Sequence, residues 1–171
     1  DTAALINAYY TSDFIFEGVV QEQCFYDDPQ TGNIYTSNKI QITKIFKGNL
    51  VCGTINLITP GGQLNGYEIH VSHQTEFNVG VAGVFLCKNT VYPESTCGFI
   101  TDNTQTVELT EASQGTIEYL FDHVNAEVEG FNSQFPTIES FYDFLTINGI
   151  NMIDCNYLLI VQMRKAAYTS K

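Results

Sequence analysis

The sequence predicts a mainly β fold with flanking helices, and the prediction rests on a hairpin pattern, an aromatic bias and a length suited to one core. The hairpin is Ile34–Gly62, IYTSNKIQITKIFKGNLVCGTINLITPGG: a long strand, a charged turn at Lys47, Gly48 and Asn49, and a second strand stopping at Pro60, Gly61 and Gly62. β-Branched residues crowd both halves and alternate with polar ones, giving one wet face and one buried face, as in the central hairpin of a β-barrel or sandwich. Ten Tyr and twelve Phe with no Trp point the same way, because such rings fit a half-buried pleated surface. At 171 residues and 44% hydrophobic, with no linker, repeat or low-complexity tract, the chain is expected to bury one core as a single domain, residues 1–171.

The elements follow in order. Thr2–Tyr10 places Ala4, Leu5, Ala8 and Tyr9 on one helical face, and Thr11, Ser12 and Asp13 end it. Phe14–Phe25 is the first strand, with Gly18 a bulge or close-packing point. Asp27–Asn33 is a turn in which Pro29 presets φ and Gly32 permits a positive one. Its two aspartates lack the alternating oxygen ligands and terminal Glu of a calcium loop. Tyr67–Ser72 and Val81–Lys88 are the fourth and fifth strands, with Phe77 and a Gly80 turn between them. His70 and His73, three apart on one strand, face opposite ways and do not share a metal.

Phe99–Thr101, Thr106–Leu109 and Gly115–Phe121 are short strand candidates. Pro136-Thr137-Ile138-Glu139 starts a helix capped by Thr137, with Ile138, Phe141, Tyr142 and Leu145 on one stripe and a stop at Asn148-Gly149. Tyr157–Gln162 is a strand or part of a second helix; a run that short has no decisive period.

Net charge is −12, and between Asn89 and Met163 there are eleven acids and no Lys or Arg. Phosphate recognition needs clustered cations, so nucleic acid is not an expected partner, and an anionic lipid surface is disfavoured for the same reason. The longest purely apolar run, Tyr157–Val161, is far too short to cross a bilayer, so no direct membrane insertion is expected. No basic segment followed by an apolar one precedes Asp1, as expected of a mature secreted chain.

The cysteines suit an oxidising compartment. Cys87 and Cys97 flank the polar segment KNTVYPEST and are expected to close a loop between two strands. Cys155 is expected to pair with Cys24 or Cys52, since Cys24 and Cys52 lie at opposite ends of a simple meander. Without a CxxC or CxH spacing, neither zinc nor another cofactor is expected.

Four segments, SDFIFEGVV at Ser12–Val20, IYTSNKIQITKIFKGNL at Ile34–Leu50, the Pro60-Gly61-Gly62 stop and VGVAGVFL at Val79–Leu86, together resemble the N-terminal module of many secreted bacterial proteins. QGTIEY at Gln114–Tyr119 resembles the continuation in Bacteroidetes members, often exported by the type IX route. The resemblance implies an OB-like five-stranded antiparallel barrel of the netrin and tissue-inhibitor-of-metalloprotease kind, over about residues 12–121, with a helical tail over about 136–171. Asp1-Thr2-Ala3 is similar to a short Bacteroidetes O-glycosylation pattern, making Thr2 the candidate acceptor.

No G-x-S-x-G, H-E-x-x-H or Gly-rich phosphate loop occurs, and the histidines are only His70, His73 and His123, so catalysis is not expected. The expected function is a non-catalytic interaction or scaffold module of a secreted or cell-surface protein, its partner a protein or glycan at the cell surface. Tyr26, Tyr35, Tyr67 and Tyr92, in or beside turns, are the candidate binding residues. The alternative is a protease-directed domain, inhibitor-like or accessory to a metallopeptidase. Inhibitors of that group bring an N-terminal cysteine to the protease zinc, whereas this chain has Asp1 there and its first cysteine at Cys24.

Overall fold

A computed structural model describes residues 2–72, 76–110, 116–119, 128–129, 135 and 137–156, with backbone alone for 2–5, 116–119 and 128–129. The chain opens with helix α1 (Thr2–Thr11). It stops where Ser12 turns both its amide (3.0 Å) and its hydroxyl (2.6 Å) onto the Ala8 carbonyl. That is a local side-chain bond competing with continued helix.

Strands β1 (Phe14–Asp27) and β2 (Ile34–Lys47) form a long antiparallel pair whose register shifts at Ile15/Phe16, Glu17/Gly18 and Val20/Glu22. At Gly18 the expected close approach is present: a Cβ there would lie 2.5 Å from Ile40 Cγ2 and 2.6 Å from the Gln41 carbonyl oxygen. Asp28 builds the turn between the strands, accepting from the Gln30 amide at 2.9 Å and the Thr31 hydroxyl at 3.1 Å. The next connection is longer than the expected turn at residues 47–49, because β3 (Thr54–Pro60) begins only after Cys52 and Gly53.

The expected fourth strand, Tyr67–Ser72, is shorter and lies elsewhere. β4 (Gly62–Leu64) and β5 (Tyr67–Ile69) pair only with each other in a small separate hairpin. Asn65 (φ 52°) and Gly66 (φ 82°) are both left-handed, the two-residue turn whose twist suits a tight hairpin.

β6 (Ala82–Asn89) and β7 (Thr106–Leu109) complete a ring of pairings: β1 with β2, β2 with β3, β3 with β7, β7 with β6, and β6 back to β1. The pairing of β3 with β7 is parallel and the other four are antiparallel, so the ring is not wholly antiparallel. The ring is also uneven. β8 (Thr116–Tyr119) takes the edge of β6 over Ala82–Phe85, and β10 (Ile153–Asp154) takes that of β2 at Lys44 and Ile45. β9 (Val128–Glu129) adds to β8. Phe99–Thr101 is not a strand. The tail expectation for Tyr157–Gln162 lies outside the described residues.

Strand alternation sorts the apolar side chains into layers. Inside the ring lie Phe16, Val20, Ile40, Ile42, Ile55, Leu57, Phe85 and Val107, with Phe77 among them. Each contributes roughly 1.5–3 kcal/mol by leaving water. The opposite parity, including Ile15, Phe46, Val84 and Leu86, packs under Ala8 of α1 and under Ile138, Phe141 and Leu145 of helix α2 (Ile138–Ile147). The expected boundaries of α2 hold: Thr137 accepts from the Ser140 amide at 3.2 Å, Asn148 caps the end, and Gly149 follows at φ 75°.

The sulfur pairing differs from the expectation at Cys87 and Cys97. Cys24 bonds Cys97 and Cys52 bonds Cys155, while Cys87 is a buried free thiol. Cys87 shares the parity of Phe85 and points into the ring, whereas Cys97 lies on the outside with Tyr26 and Ile58, so a strand wall separates them. Of the two partners open to Cys155, the structure has Cys52. Burial, and to a lesser extent the nearby Glu108 carboxylate, pushes the Cys87 thiol well above its ordinary pKa.

Lys47 fastens the first helix to the ring. Its Nζ donates to the Tyr9 carbonyl at 2.7 Å and lies 4.8 Å from the centre of the Tyr9 ring, and α1 has no basic residue of its own in its last turn. A cation there satisfies a C-terminal carbonyl and complements the helix dipole. Lys47→Met is expected to cost about 1–2 kcal/mol, read as a lower urea midpoint with early loss of amide protection in α1. Unchanged protection in α1 would contradict this role.

Candidate functional site

The outward parity at the far end of β1 and β2 brings together Cys24, Tyr26, Tyr35 and Ser37. The register sets Tyr26 opposite Tyr35 and Cys24 opposite Ser37. The segment 90–97 crosses this face and is fastened to it by two hydrogen bonds and a disulfide. The Tyr26 hydroxyl donates to the Pro93 carbonyl at 2.7 Å, the Ser37 hydroxyl donates to Ser95 Oγ at 2.7 Å, and Cys24 is bonded to Cys97. From the β7 side, Glu108 accepts from the Val91 amide at 2.6 Å.

The tyrosines stack in sequence, with ring centres 5.6 Å apart for Tyr26–Tyr35 and 5.3 Å for Tyr35–Tyr92. Tyr26 is only 2% exposed. Burial first, then the neighbouring phenols of Tyr35 and Tyr92, hold its pKa above the ordinary phenol range, so it stays protonated and keeps donating to Pro93.

Beyond this stack, segments 90–97 and 100–106 enclose a groove of ≈ 610 Å³. Its apolar lining includes Ile58, Tyr92, Pro93 and Ile100; its polar lining is threonines and a serine with Glu94 and Asp102, and among the described residues no cation lines it. The far wall is a compact turn, in which the Thr101 amide donates to Thr104 Oγ1 at 3.0 Å and the Thr104 amide to the Thr101 carbonyl at 3.0 Å.

Of the four tyrosines singled out in the sequence, the structure unites Tyr26, Tyr35 and Tyr92. Tyr67 stands 73% exposed at the start of β5 and does not line the groove. Sequence reasoning missed Ser37, Pro93 and Ser95. The available signal was parity: Tyr35 and Ser37 are two apart on one strand, as are Cys24 and Tyr26. Thr2 opens α1, while Asp1, His73 and His123 lie outside the described residues.

A second concavity, ≈ 230 Å³, opens beside Phe77 between the β4–β5 hairpin and the ends of β1, β2 and β3. His70, 65% exposed, sits between two carboxylates: Nε2 is 2.8 Å from Glu68 and Nδ1 is 2.9 Å from Glu76. Gln63 also donates to Glu68, at 3.0 Å. With both ring nitrogens engaged, the imidazole serves as a clip between the hairpin and the residue preceding Phe77.

The hydrogen bond to Glu76, then the Glu68 charge, raises the His70 pKa above its ordinary 6.5, and the Gln63 hydrogen bond, then the His70 charge, lowers Glu68 below 4.5. The His70 contribution is complete below its unfolded value and is lost as pH rises through the folded one. The Glu68 contribution is present above its unfolded value and is lost as pH falls through the depressed one. The clip therefore holds best between those limits. Imidazole proton shifts followed across pH should show His70 titrating above 6.5 in the native chain and moving back toward it in Glu76→Gln. An identical midpoint in that variant would contradict the clip.

Among the described residues, no helix is long and apolar enough to cross a membrane. Compared with known proteins, the chain matches no family model, no curated protein sequence and no solved structure.

Proposed function

We propose that this chain is a non-catalytic interaction module of a secreted or cell-surface protein, built on an OB-type barrel, with its ligand surface at the groove beside Tyr92. The single observation that carries the reading is the fastening of segment 90–97 by Tyr26, Ser37 and the Cys24–Cys97 bond. Surface loops are ordinarily mobile; a loop held at three places presents a preformed concave surface, which lowers the ordering cost of binding.

The OB reading is supported by the ring of five strands, in which three meandering strands are joined through one parallel and two antiparallel pairings. Such barrels host ligands on a strand face and in adjoining loops, though a fold alone does not name a function. The two disulfides fit an oxidising, extracellular setting.

The test is retention of the labelled chain on cell-surface fractions. Tyr92→Ala is expected to lose retention and Tyr67→Ala to keep it. Equal retention by native chain and Tyr92→Ala would remove the groove from the account.

A further inference from the structure

The groove beside Tyr92 is, we infer, a site for a neutral, hydroxyl-rich sugar, an inference that rests on the interaction-module reading above. Its ≈ 610 Å³ falls within the roughly 300–1,000 Å³ of small-ligand sites. A stable protein interface needs a broader surface, about 800 Å² per partner. The lining chemistry then selects among small ligands. Among the described residues no Lys, Arg or His lines the groove, and the whole chain carries −12, so a sulfated, phosphorylated or carboxylated ligand finds no counter-charge there and meets a repelling field.

What the groove does offer is hydroxyls, of which Thr90, Ser95, Thr101, Thr104 and Thr106 already hold a hydrogen bond within the protein and keep capacity for another, and two acceptor carboxylates, Glu94 and Asp102, both on exposed residues. That set matches the alternating donor and acceptor capacity of sugar hydroxyls. Half-buried Ile100 and the aromatic Tyr92 suit the C–H face of a pyranose. Tyr92 is braced by Tyr35 at 5.3 Å, and Tyr35 by Tyr26 at 5.6 Å, so the platform is oriented before any ligand arrives. A cationic peptide is the competing ligand for Glu94 and Asp102. Exposed ion pairs are weak and fade with salt, which separates the two experimentally.

The experiment uses the full 171-residue chain on immobilised cellohexaose, maltohexaose, mannohexaose and chitohexaose, with a heparin fragment and an oligolysine peptide alongside, at about 50 and about 500 mM NaCl. The expected result is binding to at least one neutral oligosaccharide with the same affinity at both salt concentrations. Tyr92→Ala and Asp102→Ala should each weaken it by roughly tenfold, while Tyr67→Ala leaves it intact. Asp102 is exposed, so its variant decides the matter if Tyr92→Ala disturbs the loop.

Binding to none of the neutral sugars, binding confined to heparin or oligolysine, or binding indifferent to both groove variants would overturn the inference. If the neutral sugars fail while retention on surface fractions still depends on Tyr92, the sugar assignment falls and the module reading stands. If neither depends on Tyr92, both fall.

Discussion

Replacing Cys24 and Cys97 together by serine is expected to lower stability by about 2–5 kcal/mol and to abolish retention through the groove. The bond joins residues 73 apart in sequence. In the chain-entropy account, a cross-link of that span restricts the unfolded chain by roughly 4 kcal/mol. The functional part of the expectation is local. Without the bond, segment 90–97 keeps on that face the Tyr26–Pro93 and Ser37–Ser95 hydrogen bonds, each worth about 1 kcal/mol net, and the Tyr35–Tyr92 ring contact.

Two measurements separate the global effect from the local one. Urea denaturation gives the stability loss, and amide exchange under native conditions gives the protection of residues 91–97. Protection there should fall further than protection in β1 or β2. A double-serine variant with native protection in that segment and native retention would contradict the fastening argument, whatever its urea midpoint.

Phe85→Ala is expected to cost about 3–5 kcal/mol, the largest loss from a single side chain. Phe85 is 0% exposed. It stacks on Phe16 with centres 5.5 Å apart and receives the edge of Phe77 at 5.4 Å. Truncation leaves a cavity lined by two rings from separate parts of the chain, which cannot close it without moving β1. In a chain of this size each kcal/mol lowers the melting temperature by about 2–4 °C. Val91→Ala, at a position 88% exposed, is the matched control and should stay within about 0.5 kcal/mol of native. A loss below about 1 kcal/mol for Phe85→Ala would mean that the ring interior is not the core.

Much of the fold was legible because the determining signals are local. The Thr137 cap, the Asn148-Gly149 stop and the Asp28-Pro29 turn all act within a few residues, and each lies where its chemistry demands. Asn65-Gly66 between short segments is likewise a local signal of a tight hairpin, while the end of the strand that follows, at Ile69 rather than Ser72, has no such mark.

What was not legible depends on which residues meet across the ring. The parallel pairing of β3 with β7 joins segments some fifty residues apart (Asn56 with Thr106), and nothing at either end announces it. The cysteines show the same limit. Cys87 and Cys97 are near in sequence with a turn between them, which favours pairing by distance, but side-chain parity places Cys87 inside with Phe85. Parity could have been read from VFLC; that Cys97 lies on the outer face opposite Cys24 required the register. The groove was half visible: Tyr26, Tyr35 and Tyr92 could be singled out, but the exclusion of Tyr67 is a fact of topology.

The most direct test of the account is disulfide mapping of the unreduced chain, by proteolysis under denaturing, non-reducing conditions with free thiols alkylated beforehand. The account predicts one peptide pair linking Cys24 to Cys97, a second linking Cys52 to Cys155, and alkylation at Cys87 only after denaturation. A Cys87–Cys97 linked peptide, or Cys24 and Cys97 both alkylated, would contradict it, because the loop that forms the groove would then have no covalent hold on β1.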